Sequence, residues 1–394
     1  MLTEARKSQL LEVLGNLIAR RSYSGEEKDV AQYIEKTAKE LGYDAVRIDR
    51  YGSVICTIKG KRPGLKVLMD GHIDTVPADA EKWTKKPFEG AVADGKFYGR
   101  GATDMKGAVG AMLLAGAWLA QDSDKNFAGE INLAGVVHEE CFEGVAAREI
   151  SKTVQPDVVI IGEASQGNLK IGQRGRAEIV LETFGVPAHS ANPEKGVNAV
   201  YKIMNIISAV RELPMSHHDI LGDGILELTD VKSSPYPGTS VVPDYCRATY
   251  DRRLLVGETP EEVIAPIQQL LKKLSAEDPQ LKAEVSYAKG VENCWTGEKI
   301  EGERFFPGWL FSENEAYIQK ALHALQEIGQ TPTITHYNFC TNGSHYAGEA
   351  GIKTIGYGPS RENLAHTIDE YAELESLYDV AEGYYAILKA YLSE

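Results

Sequence analysis

Apolar positions recur at helical spacing through residues 4–20, where Leu10, Leu11, Leu14 and Leu17 fall on one face. A second helical stretch carries Val30, Tyr33, Ile34 and Ala38 and stops at Gly42. The apolar runs then shorten. Residues 45–48 and 53–59 read as strands, and 66–69 as a buried one. A helix of small and apolar residues follows Asp104 to about residue 120. A strand at 129–137, a helix at 144–152 and a strand at 157–161 come next. Strands alternating with helices predict an α/β layer, a mixed and largely parallel sheet flanked by helices.

The pattern changes near Arg176. A strand at 177–184, a helix at 197–213, strands at 224–231 and 241–254, a helix at 260–274 and a strand at 282–287 give the order β-α-β-β-α-β. That is the ferredoxin-like arrangement. Beyond Gly290 the α/β character resumes, with a helix at 313–329, a strand at 333–337, a loop at 341–343, a strand at 353–356 and a helix at 373–392. The expected organisation is an α/β domain formed by 1–176 and 289–394, interrupted by an inserted α+β domain at 177–288.

Composition supports two domains, since 394 residues exceed what one core usually serves. With 43% hydrophobic and 25% charged residues the chain is globular in character. The net charge of -15, with no stripe of Lys and Arg, argues against nucleic acid as a partner, because phosphate neutralisation needs clustered cations. No apolar run approaches the ~20 residues of a membrane span. Charges interrupt the N-terminal helix pattern, so no signal-peptide core is expected. Five cysteines without CxxC spacing fit a reduced, cytoplasmic setting.

Candidate chemistry gathers at the ends of the predicted strands. Val67, Leu68 and Met69 lead into Asp70-Gly71-His72-Ile73-Asp74. A Gly-rich turn, Tyr98-Gly99-Arg100-Gly101, delivers Asp104 to a helix start. The strands near 137 and 161 are followed by Glu139-Glu140 and by Glu163. Ligands of open α/β sheets sit at the carboxyl ends of strands, so these groups are expected to share one site. His, Asp and Glu suit a first-row divalent ion. Asp104 can bridge two ions about 3.5–4 Å apart. Adjacent side chains point in different directions, so one of Glu139 and Glu140 can ligate while the other moves a proton. Asp74 suits an outer carboxylate that orients an imidazole or the base. His366, His345, His336, His217 and His218 compete for a late ligand position.

The segments DGHIDTVP, PFEG, GRGATDMKG, HEE and GEAS, in that order, resemble the signature of the dinuclear zinc amidohydrolases of the M20 peptidase family. The resemblance spans essentially the whole chain. It implies two divalent ions, zinc with cobalt or manganese as alternatives. His72 and Glu163 would hold one, Glu140 and His366 the other, with Asp104 between them. It makes Glu139 the general base, Asp74 its supporting acid, and the Asp104–Met105 peptide cis. The inserted domain resembles the family's lid and dimerisation module, which implies a homodimer. His189, in GVPAHSANPEKGVNA, matches a histidine that stabilises an oxyanion. Arg253 in DRRL matches an arginine that pairs with a substrate carboxylate, with Arg252 its competitor because strand alternation lets only one face the site. Thr341, Asn342 and Gly343 match a loop holding the same carboxylate. Ser240 is a departure, standing where many relatives carry Asn, and it has no amide donor. GQRGRAEI, DRRLLVGET, CTNG and IGYGPSRENLAH resemble the selenium-metabolism-linked hydrolase branch. The implied activity is hydrolysis of an amide bond in a small N-acyl amino acid or dipeptide with a free carboxylate. The rivals are an N-carbamoyl or ureido amide on the same site, and a non-catalytic binding protein on this scaffold.

Overall fold

The strand Arg62–His72 lies within a mixed sheet, parallel to Ala128–Val136 on one side and to Val158–Ile161 on the other. The computed structural model describes residues 2–393 and divides into two compact units. The first comprises the chain up to Gln173, Val291–Gly302 and the segment from Leu310 onward. Its sheet runs Ala45–Ile48, Val54–Lys59, Ala128–Val136, Arg62–His72, Val158–Ile161, Lys353–Gly356 and Leu169–Gln173. The four strands from Ala128–Val136 to Lys353–Gly356 are parallel, and the pairings that extend this run on either side are antiparallel. Apolar runs such as Val158–Ile161 are buried throughout, as strands covered on both faces must be.

The helix Lys106–Asp122 is buried from Lys106 to Ala120. It contacts the sheet and the helices Glu4–Ile18 and Leu374–Tyr391. Its Gly and Ala content permits this close packing. Gly71 completes the fit from the strand side: a Cβ there would lie 2.8 Å from Val109 Cγ2 and 2.9 Å from Met105 Cε. The missing side chain therefore lets the helix that follows Asp104 rest against the strand that ends in His72.

The second unit comprises Arg174–Gly290 and Glu303–Trp309. Its strands are ordered Ile225–Ser234, Tyr245–Leu254, Gly175–Phe184, Lys282–Tyr287, all antiparallel. Ile203 and Ile206 of one helix and Ile264, Ile267 and Leu271 of another pack on Ala177, Ile179, Leu181, Ala248 and Tyr250. The order is the ferredoxin-like one. Two details differ from the sequence reading. Phe305–Phe306 pairs with Gly175–Phe184, so a segment read as part of the outer domain joins this unit. The strand expected from 241 begins at Tyr245; Pro243 has no N–H for a ladder, and Val241 makes only an isolated bridge to His189.

A small three-stranded sheet, Tyr371–Glu373, Lys96–Tyr98 and Ala91–Ala93, is not apparent from the residue pattern, because three residues are too few to show alternation. Among the described residues no helix is long and apolar enough to cross a membrane.

Candidate metal centre

His72 closes its strand with its ring buried. Its Nδ1 lies 2.9 Å from the Asp74 carbonyl, which can only accept, so Nδ1 carries a proton and Nε2 is the atom presented to the neighbouring carboxylates. That Nε2 is 2.7 Å from Asp104 Oδ1 and 3.5 Å from Glu163 Oε1. Asp104 stands after the Gly-rich turn and just before the helix Lys106–Asp122, and its peptide to Met105 is cis, as the resemblance implies. Its other oxygen, Oδ2, is 3.1 Å from His366 Nε2, which is also 3.1 Å from Glu140 Oε2. Two triads result, His72–Asp104–Glu163 and Asp104–Glu140–His366, with the donor atoms of each within 4.8 Å of one another. Asp104 belongs to both.

The electrostatics point the same way. Burial disfavours a charged His72, yet Asp104, Glu163 and Glu139 push its pKa well above the ordinary value. Hydrogen bonds to Asp104 and Glu140 push His366 up to about 10. Burial acts to raise Asp104, but the two imidazoles hold it well below the usual carboxylate range. These carboxylates create a strong local demand for positive charge. A nitrogen and oxygen donor set of this kind fits a pair of divalent first-row ions.

Glu139 is buried, and its Oε2 is 4.0 Å from His72 Nε2. Burial pushes its pKa well up; His72 opposes this, and the like charges of Glu163, Glu143 and Glu140 add to it. Asp74 accepts the backbone N–H of Glu139 at 3.1 Å and that of Glu140 at 3.3 Å, and takes the Ser24 hydroxyl at 2.7 Å. One residue thus orients the imidazole through its carbonyl and the Glu pair through its carboxylate.

The profile of peptidase family M20/M25/M40 matches residues 68–390. The chain belongs to this family. As an M20 protein it is a metal-dependent hydrolase acting on amide bonds. YgeY of Escherichia coli K12, an uncharacterized protein, is 31% identical over 393 residues, covering 98% of this chain and 95% of YgeY. A succinyl-diaminopimelate desuccinylase of Cereibacter sphaeroides is 26% identical over 396 residues, covering 96% of this chain and 97% of the enzyme. A dinuclear metal-binding M20 peptidase of Bacillus subtilis shares the fold, with a TM-score of 0.72 at 16% identity and 98% of each chain covered.

The other late histidines of this M20 hydrolase are engaged elsewhere. His345 lies between the Ser151 hydroxyl and Glu349, each at 2.7 Å. His336 Nδ1 faces the Tyr337 carbonyl, and His217 pairs with Asp223 in the second unit. His218 Nδ1 accepts the N–H groups of Ile220 and Leu221 in that unit too.

Within the second unit, His189 is exposed and its Nδ1 accepts the Ala191 N–H at 3.0 Å, so Nε2 bears the proton and can donate. Its loop is held by Ser190 N–H on the Ser240 carbonyl and Val242 N–H on the Ala188 carbonyl. Ser240 itself sits at φ 53°. Arg252 is buried and committed to Glu258 at 2.6 Å and to backbone carbonyls. Arg253 points the other way, 30% exposed, with Asp251 at 2.8 Å.

In the first unit the Thr341 hydroxyl donates to Gln173, and Asn342 donates to Asp70 while accepting from Gly144. Gly343 N–H donates to the Thr341 hydroxyl oxygen. Those side chains hold the loop itself, so anion recognition there would fall to backbone groups. Sequence reasoning passed over Asp70 and Glu370. Glu370 is a buried carboxylate whose one available signal was an acid set directly before the aromatic strand Tyr371–Glu373.

Proposed function

We propose that this M20 hydrolase is a dinuclear amidohydrolase that removes an acyl or aminoacyl group from a small amino-acid-derived substrate with a free carboxylate. The supporting observation is the division of Asp104, with Oδ1 toward His72 and Oδ2 toward His366. His72, Asp104 and Glu163 would hold one ion and Asp104, Glu140 and His366 the other, with zinc as the natural occupant of such donors. Bound there, the pair would polarise a substrate carbonyl and make a water acidic enough to attack it.

Glu139 takes the proton of that attacking water on its carboxylate and returns it to the leaving amine. His189 donates its Nε2–H to the oxyanion, in keeping with the tautomer its Ala191 contact imposes. Arg253, 30% exposed where Arg252 is buried, pairs with the substrate carboxylate. Backbone groups of Thr341–Gly343 assist it. The same reading makes the second unit the lid and dimerisation module of a cytoplasmic homodimer.

The test is turnover by zinc-loaded full-length protein on N-acetyl, N-succinyl and N-carbamoyl amino acids and dipeptides, each with its C-terminal amide analogue. Cleavage of an N-acyl or dipeptide class, lost when the carboxylate is amidated, is the expected result. Cleavage of the carbamoyl compounds alone would replace this reading with ureido hydrolysis. Two bound ions with no turnover across the panel would favour a binding protein.

A further inference from the structure

The two candidate ion sites differ in what holds their private ligands. His72 and Glu163 stand at or just past sheet strands, with side chains 1% and 6% exposed. His366 lies outside any helix or strand, at φ 61°, with its side chain 51% exposed. The local bonds of that segment, Ala365 N–H on the Glu362 carbonyl and the Thr367 hydroxyl on the Leu364 carbonyl, hold its backbone and do not touch the ring.

Four residues later comes Glu370, fully buried. Its Oε1 accepts three backbone N–H groups of the loop that delivers Asp104: Gly101 at 3.0 Å, Thr103 at 2.9 Å and Asp104 at 3.1 Å. Its Oε2 meets the Arg100 guanidinium at 2.5 Å. The backbone adds Gly99 N–H on the Glu370 carbonyl at 2.9 Å, and the Thr103 hydroxyl donates to the Tyr371 carbonyl at 2.6 Å. The preceding Asp369 accepts Thr84 N–H, Lys85 N–H and the Thr84 hydroxyl. A carboxylate with an ion-pair partner and three amide donors is a strong and directional anchor. Here it joins the segment bearing His366 to the loop bearing Asp104.

Resting on the dinuclear reading above, we propose that Glu370 is a positioning residue that keeps His366 in register with Asp104, so that the Asp104–Glu140–His366 site depends on it and the His72–Asp104–Glu163 site far less. Glu140 does not compensate, since its backbone is held from another direction by Asp74. Outer partners of metal ligands are typically worth about 10–100-fold in metal affinity.

The experiment is titration of metal-free full-length protein with Zn²⁺ against a competing chelator. It compares wild type, Glu370→Gln and Glu370→Asp, with melting temperature measured alongside. Gln turns an amide toward Arg100, whereas Asp keeps the charge and shortens the reach. The expected result is two ions on wild type. In each variant the second ion weakens, about 10–100-fold in Gln and less in Asp, while the first weakens far less. Should the Gln variant fail to fold, the Asp variant carries the same comparison. Equal weakening of both ions, or two unchanged affinities with only a lower melting temperature, would overturn the proposal. A wild type that binds fewer than two ions would instead refute the dinuclear reading beneath it.

Discussion

The Asp74 carboxylate accepts the backbone N–H of Glu139 at 3.1 Å, while the carbonyl of the same Asp74 faces His72 Nδ1 at 2.9 Å. The proposed base and a proposed metal ligand therefore share one support. Asp74 is itself fixed by the Ser24 hydroxyl, and the neighbouring Ile73 carbonyl by Ser22. Such a shared support limits how far the base can drift from the imidazole, and positional tolerance of that kind governs catalytic efficiency.

Glu139→Gln keeps shape but removes the basic oxygen. Turnover should fall about 10²–10⁴-fold, the usual worth of a positioned base, while metal analysis still finds two ions. Loss of an ion together with activity would reassign Glu139 as a ligand.

Metal stoichiometry should separate the triads. Glu163→Gln and His366→Gln should each cost one ion, and Asp104→Ala should cost both, because Asp104 alone belongs to the two clusters. Elemental analysis of purified variants checks this, and an Asp104→Ala protein that retains two ions would exclude the bridge.

His189→Ala removes the proposed oxyanion donor. Steady-state kinetics should show kcat lowered about 10²–10³-fold with KM near wild type. An unchanged kcat would take His189 out of the reaction.

The adjacent arginines should fail in different ways. Arg253→Ala should raise KM for carboxylate substrates and leave the melting temperature nearly unchanged. Arg252→Ala removes a buried guanidinium that pairs with half-buried Glu258 and donates to backbone carbonyls, so thermal stability should fall instead. The reverse assignment of KM and stability would exchange their roles.

Glu27 gives the fold a pH dependence. Burial, with the charge of Asp74 adding to it, pushes its pKa up to about 8 from an unfolded value of 4.5. Between those values the folded chain holds a proton that the unfolded chain releases, so stability present below about pH 4.5 is lost progressively toward pH 8. Glu27→Gln should flatten the fall in melting temperature across that window. A slope identical to wild type would show that Glu27 does not titrate there.

Much of this molecule is legible in local pattern. Apolar alternation and helical spacing identify the α/β and β-α-β-β-α-β halves, because burial on a sheet or helix face imposes a short period on the chain. His72, Glu139, Glu140 and Glu163 group together on sequence alone, because each follows an apolar strand and parallel strands end on one side. Three things stay beyond the reach of local pattern: which late histidine stands beside Asp104, which of Arg252 and Arg253 is buried, and that Glu370 grips the Asp104 loop. His366, His345 and His336 are chemically alike as candidates, and the loop residues at 99–104 and 366–370 carry no period to register against each other. Their meeting is a long-range contact decided by how the strands and helices pack, and only the tertiary structure brings Glu370 within hydrogen-bond reach of the Asp104 N–H.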